Sequence, residues 1–150
     1  MSDNWLRFIA TDPGWVPSGL ATEAAVELLV KWLPDADEVR SSVRDHVEFV
    51  DQGANFEHVY CPTCRAVLAE DWWGDAMTRA SQGGFEDLAV STPCCGRATS
   101  LNELDYDWPA GFARFVVEAL NPGVSDLTKP QVDELAQALG TPLRRIWAHY

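Results

Sequence analysis

Gly111-Phe112-Ala113-Arg114-Phe115-Val116-Val117-Glu118-Ala119-Leu120 is a run of bulky apolar residues closed by Asn121-Pro122-Gly123, the composition of a buried strand ended by a turn. The same order stands near the other end of the chain. Asn4-Trp5-Leu6-Arg7-Phe8-Ile9-Ala10-Thr11 is closed by Asp12-Pro13-Gly14, and Arg7-Phe8-Ile9 matches Arg114-Phe115-Val116 in place and character. A helical pattern follows each run. After the first, Thr22 is the expected N-cap, and Ala25, Leu28, Leu29 and Trp32 recur at the spacing of one helix face before Pro34 ends it. After the second, Thr128 and Gln131 form a capping box and Pro130 suits the first turn. Val132, Leu135, Ala136 and Leu139 repeat the stripe, and Gly140 takes the position just past the end.

Each half then closes with a strand. Beyond an acidic loop at 34–38, the alternation from Val43 to Asp51 sets Val43, Val47 and Phe49 on one side and Arg44, His46 and Glu48 on the other. From Pro142 to Tyr150, Ile146 and Ala148 oppose Arg145, Trp147 and His149. Two β-α-β units predict an α+β protein of the ferredoxin-like (split βαβ) kind, a four-stranded antiparallel sheet with two helices on one face. Residues 1–52 and 110–150 form this core, and 53–109 interrupt it between the second and third core strands.

The interruption carries every cysteine of the chain, as Cys61-Pro62-Thr63-Cys64 and Pro93-Cys94-Cys95-Gly96. Two pairs of thiolates complete the tetrahedral shell of a structural Zn²⁺, so Cys61, Cys64, Cys94 and Cys95 are the expected ligands. Cys94 and Cys95 are adjacent, and neighbouring side chains on a strand point to opposite faces, so both reach one ion only across a sharp turn. His58 or His46 is the alternative fourth ligand. A dithiol redox site at Cys61-Pro62-Thr63-Cys64 would open a helix, whereas Arg65-Ala66-Val67-Leu68 reads as extended. The strands expected around the cysteines span 56–60, 66–68 and 85–91, with a helix over 70–81.

On these two cysteine turns, residues 56–108 resemble the zinc-ribbon group of small metal modules. The resemblance implies a closed tetrathiolate site with a structural role. With Pro93-Cys94-Cys95-Gly96 followed by Ser100-Leu101-Asn102-Glu103-Leu104 and a closing Pro142-Leu143-Arg144-Arg145-Ile146-Trp147-Ala148-His149-Tyr150, the whole chain also resembles bacterial proteins of unassigned role.

Composition narrows the function. With 23 acidic against 11 basic residues and a net charge of −12, the chain repels phosphate backbones and anionic lipid, which argues against nucleic-acid or membrane partners. No apolar stretch has the length of a membrane span, and Met1-Ser2-Asp3-Asn4 lacks the basic and apolar regions of a signal peptide, so a cytoplasmic location is expected. No nucleophile elbow, phosphate-cradling loop or helical His-Glu-x-x-His is present. The expectation is a non-catalytic binding module, a monomer or weak homodimer, for a protein partner of basic character, as in immunity proteins that neutralise toxins. Trp72, Trp73, Asp71 and Asp75 are the candidate binding residues, expected to cluster with Glu103, Asp105, Asp107, Tyr106 and Trp108. The alternative is an enzyme or small-ligand binder with its site at the junction of insert and sheet.

Overall fold

In the computed structural model, which describes residues 2–150, β1 (Asn4–Ala10), β2 (Glu38–Val50), β7 (Gly111–Leu120) and β8 (Leu143–His149) form one antiparallel sheet in the order β2-β7-β1-β8. Between β2 and β7 run β3 (Val59–Tyr60), α2 (Glu70–Gln82), β4 (Ala89–Ser91), β5 (Ala98–Ser100) and β6 (Asp105–Tyr106). The helices α1 (Gly19–Trp32) and α3 (Lys129–Leu139) connect β1 to β2 and β7 to β8.

Strand β7 is buried along nearly its whole length because it is central and covered on both faces. Alternate residues point to opposite sides of a strand, and the clusters follow that rule. Phe115, Val117 and Ala119 join Leu6 and Phe8 beneath Ala25 and Leu29 of α1 and Leu135 and Leu139 of α3. Val116 instead joins Ile9, Val50 and Ile146 on the far face. Phe8, Phe112 and Phe115 are fully buried, and each contributes about 1.5–3 kcal/mol through apolar area removed from water. A continuous apolar run is what a strand buried on both faces requires.

The C-terminal helix forms as its sequence dictates. Thr128 accepts from the Gln131 backbone N–H while Gln131 accepts from that of Thr128, and Gly140 stands at φ 86°. The first helix begins a turn earlier than expected. Ser18, not Thr22, is the N-cap, its Oγ accepting from the Ala21 N–H, and the Thr22 hydroxyl turns back to the Ser18 carbonyl. The second core strand also starts earlier, at Glu38, and its pairing with β7 shifts register between Val43 and Glu48. That bulge breaks the expected alternation, and Val43 is 51% exposed. Arg114 Nε donates to the Arg44 carbonyl, and Arg44 bridges to Glu48 across the irregularity.

The inserted segment covers the far face at one end of the sheet. Phe49 and Phe112 of the sheet meet Trp73, Tyr106 and Phe85, with Leu101, Leu104 and Ala76 completing the cluster. Its strands are shorter than expected. Residues 56–58 are irregular, 66–68 form a single bridge between Tyr60 and Val67, and 85–88 do not extend β4. Phe85, at φ 56°, closes the end of α2 by donating its N–H to the Ala80 carbonyl, which drops its ring onto Phe112.

Asn102 joins the two parts. Its Nδ2 donates to the Thr11 carbonyl at 3.1 Å, while its Oδ1 accepts from the Phe112 N–H and from Arg144 Nη1, both at 3.0 Å. Arg144 Nη1 also reaches the carbonyls of Asn102 and Ala110. Gly111 is needed here because a Cβ would stand 2.6 Å from that same Nη1 and 2.8 Å from the Ile9 Cδ1.

Candidate metal centre

Two turns of the same build bring the cysteines together. In the first, the Arg65 N–H donates to the Cys61 carbonyl at 3.0 Å and the Cys61 N–H to the Ala66 carbonyl at 2.9 Å, with Arg65 at φ 67°. In the second, the Gly96 N–H donates to the Thr92 carbonyl at 2.8 Å and the Thr92 N–H to the Arg97 carbonyl at 3.1 Å, with Gly96 at φ 71°. Cys61-Pro62-Thr63-Cys64-Arg65 therefore overlays Thr92-Pro93-Cys94-Cys95-Gly96 residue for residue. Cys64 and Cys95 are equivalent, Thr92 stands where Cys61 stands, and Cys94 takes the place of Thr63. The left-handed residue closing each turn is glycine only in the second, where no side chain opposes that conformation.

The four Sγ atoms all lie within 4.8 Å of one another. Cys61 and Cys95 are 3.8 Å apart and Cys64 and Cys94 are 3.2 Å apart. A tetrahedral ion with metal–sulfur bonds of about 2.3 Å has sulfur–sulfur edges of about 3.8 Å, so a cluster of this size can hold a metal ion. Both separations far exceed a disulfide bond of about 2.05 Å, and all four cysteines are free. This is how adjacent Cys94 and Cys95 serve one point: they lie in the turn, not along a strand.

Cys61 is buried while Cys64, Cys94 and Cys95 are exposed, so the site lies at the surface with one sulfur rooted in the core. The local groups divide the thiols. The backbone N–H of Cys64, with help from Thr92 and Thr63, lowers Cys61 to about 5. Cys95 is lowered by the Thr92 hydroxyl and the Arg97 backbone N–H. Cys64 has the Ala66 N–H favouring its thiolate, yet the neighbouring Cys94 thiol and desolvation raise it to about 11. Anionic sulfurs this close cannot all ionise alone, and a cation among them is what allows it.

Thr92 is the residue that sequence reading missed. It is 2% exposed, and its Oγ1 lies 3.4 Å from Cys95 Sγ and 3.6 Å from Cys61 Sγ, touching a sulfur from each turn. Such a contact orients ligands and adjusts their charge. The signal was present: aligning the two turns on Pro62 and Pro93 puts Thr92 opposite Cys61. Neither alternative ligand joins the sulfurs. His58 is exposed and lies edge-on to Tyr60, and His46 is exposed beside Glu48 at 3.7 Å.

The aromatic and acidic candidates separate. Trp73 stacks on Phe56, meets Phe49 edge-on and donates its indole N–H to the Tyr106 hydroxyl at 3.2 Å. Trp72 packs against the same cluster, whereas Asp71 and Asp75 face solvent, Asp71 accepting from the Trp72 N–H. Asp105 pairs with Arg65 and so ties β6 to the first cysteine turn. Trp108, 44% exposed, stands apart from Trp73 and lines a separate cleft.

The chain matches no family model, no curated protein and no solved structure. Among the described residues no helix is long and apolar enough to cross a membrane.

Proposed function

We propose that Cys61, Cys64, Cys94 and Cys95 hold one Zn²⁺ as a structural ion in a zinc-ribbon-like insert, residues 53–109, carried by a ferredoxin-like core of residues 1–52 and 110–150. The strand order β2-β7-β1-β8 with α1 and α3 against one face supports the split βαβ reading of the core. Thiolate softness favours zinc over harder ions. Four sulfurs leave no vacancy for water, so the ion braces the fold and activates nothing.

On this reading the protein is a non-catalytic, cytoplasmic binding module. Its acidic balance steers it toward a basic protein partner, in the manner of a toxin-neutralising immunity protein. The observation that carries the metal reading is the convergence of the four sulfurs. Native mass spectrometry of the protein from its own host tests it together with X-ray absorption at the zinc edge. The expected result is one zinc per chain with four sulfur neighbours at about 2.3 Å, lost on chelation with partial unfolding. An ion with an oxygen neighbour in its inner shell would overturn the non-catalytic assignment. A fully folded Cys61→Ser variant that binds no metal would show that the ion does not brace the insert.

A further inference from the structure

A cleft of about 740 Å³ opens where the two ends of the insert meet the sheet. Asn55 and Trp108 come from the insert's ends, Asn4 from the start of β1, Trp147 and His149 from β8, and Asn121 opens the loop of residues 121–125 that forms the remaining wall. This volume falls in the range of small-molecule sites. None of the four cysteines lines it, and its occupant goes beyond the protein-binding reading above.

The lining contains no charged residue, although Asp, Glu, Lys and Arg make up 23% of the chain. An ionic ligand would find no countercharge there. A purely apolar ligand would strip water from the free amide ends of Asn4 and Asn55 and from the His149 ring without replacing their hydrogen bonds, which is costly. What remains is a neutral ligand that presents an apolar face and many hydroxyls.

The cleft is preformed for such a ligand. Trp108 is held at φ 59°, with its carbonyl accepting from the Nε2 of Gln52, itself 1% exposed, at 3.1 Å. Backbone strain of this kind costs about 1–3 kcal/mol and persists only where surrounding structure enforces it. It leaves an indole available as a platform. Asn121, at φ 45°, accepts from the Asn4 N–H at 2.9 Å and donates to Asp37 at 2.9 Å, which fixes that wall. Asn55 spends its Nδ2 on the Trp147 carbonyl at 3.1 Å, which leaves its Oδ1 as an acceptor. His149 Nδ1 and Asn4 Oδ1 are 2.8 Å apart, so the imidazole donates, leaving His149 Nε2 as an acceptor and Asn4 Nδ2 as a donor. Donors and acceptors interspersed beside an indole suit hydroxyls, which both give and receive hydrogen bonds, on a ring with a C–H face.

A peptide strand is the poorer fit. The bridge between Gly53 and His149, the Ala54 N–H on the His149 carbonyl and the Asn55 amide on the Trp147 carbonyl already occupy the outer edge of β8 at the cleft.

We propose that this cleft binds a neutral saccharide, one or two hexose rings, with Trp108 as the stacking platform and Asn4, Asn55 and His149 reading hydroxyls. The test uses the full metal-loaded chain. Saturation-transfer NMR and tryptophan fluorescence are recorded with neutral disaccharides of glucose, galactose, mannose, N-acetylglucosamine and N-acetylgalactosamine, alongside glucose 6-phosphate and adenosine. At least one neutral disaccharide should bind, and binding should weaken about tenfold in Trp108→Gly, which removes the aromatic face. Glycine accepts the positive φ, so this variant keeps the fold; Asn55→Ala is the second probe and should weaken the same sugar. Silence across the neutral panel would overturn the proposal. So would preference for adenosine or glucose 6-phosphate, or undiminished sugar binding by both variants.

Discussion

Replacing Asn102 by alanine should destabilise the whole molecule, because this one side chain fastens the insert to the sheet. The change leaves the buried Phe112 N–H without an acceptor, which costs about 1–3 kcal/mol, and removes the bond to the Thr11 carbonyl, worth about 0.5–1.5 kcal/mol. The charge-assisted contact with Arg144 also goes, though Arg144 retains the carbonyls of Asn102 and Ala110. Together the loss should be about 3–5 kcal/mol. For a chain of this length that lowers Tm by roughly 6–20 °C. Urea titration followed by tryptophan fluorescence and far-UV circular dichroism measures it. Asn102→Asp keeps an acceptor for the Phe112 N–H and for Arg144 but sets a carboxylate oxygen against the Thr11 carbonyl in a buried position, so it should be destabilised as well. A loss below about 1 kcal/mol for the alanine variant would refute the reasoning, because an orphaned buried N–H cannot be that cheap.

Two further outcomes follow from buried polar groups. Tyr106 is buried, and burial raises its phenol from 10 to about 12, against the Trp73 hydrogen bond and the Arg144 charge that oppose the rise. A raised acid favours its neutral form in the fold. Its contribution is therefore complete below pH 10 and is lost as pH climbs toward 12, about 2–3 kcal/mol in all. Tyr106→Phe should be weaker at neutral pH, having lost the bond to the Leu101 carbonyl, yet show less alkaline destabilisation; an unchanged alkaline limb in pH-dependent urea unfolding would contradict this. Glu118, 3% exposed, lies between Arg7 and Arg40 at 3.5 and 3.4 Å. Glu118→Ala should cost about 3 kcal/mol by leaving Arg7 short of countercharge, whereas Arg40→Ala, on the half-exposed partner, should cost under about 1 kcal/mol; equal losses in denaturant unfolding would refute the distinction.

The parts of this fold legible in the sequence are those whose causes are local. The capping box at Thr128, the stop at Gly140 and the buried stripe of α3 are written within a dozen residues and form as written. The apolar run of β7 is equally plain because two covered faces remove any need for alternation. Where partners lie far off in sequence, the reading slips. The bulge after Val43 is imposed by pairing with a strand about 70 residues later, and no local period announces it. Ser18 takes the cap that Thr22 could equally have filled, since either hydroxyl suits the role. At the cysteine cluster, counting cysteines finds the four sulfurs, but Thr92 shares their turn geometry without sharing their element, so a search by residue type passes over it.

The irregular pairing at Val43–Glu48 has a further effect at the rim of the sheet. β2 is a thirteen-residue border strand whose outer side has no neighbouring strand in the sheet. A long flat border recruits other chains into stacked ribbons. Here the kink, with Arg40, Arg44, Asp45 and Glu48 along it, twists and electrifies that margin, so a second molecule finds no straight template to extend.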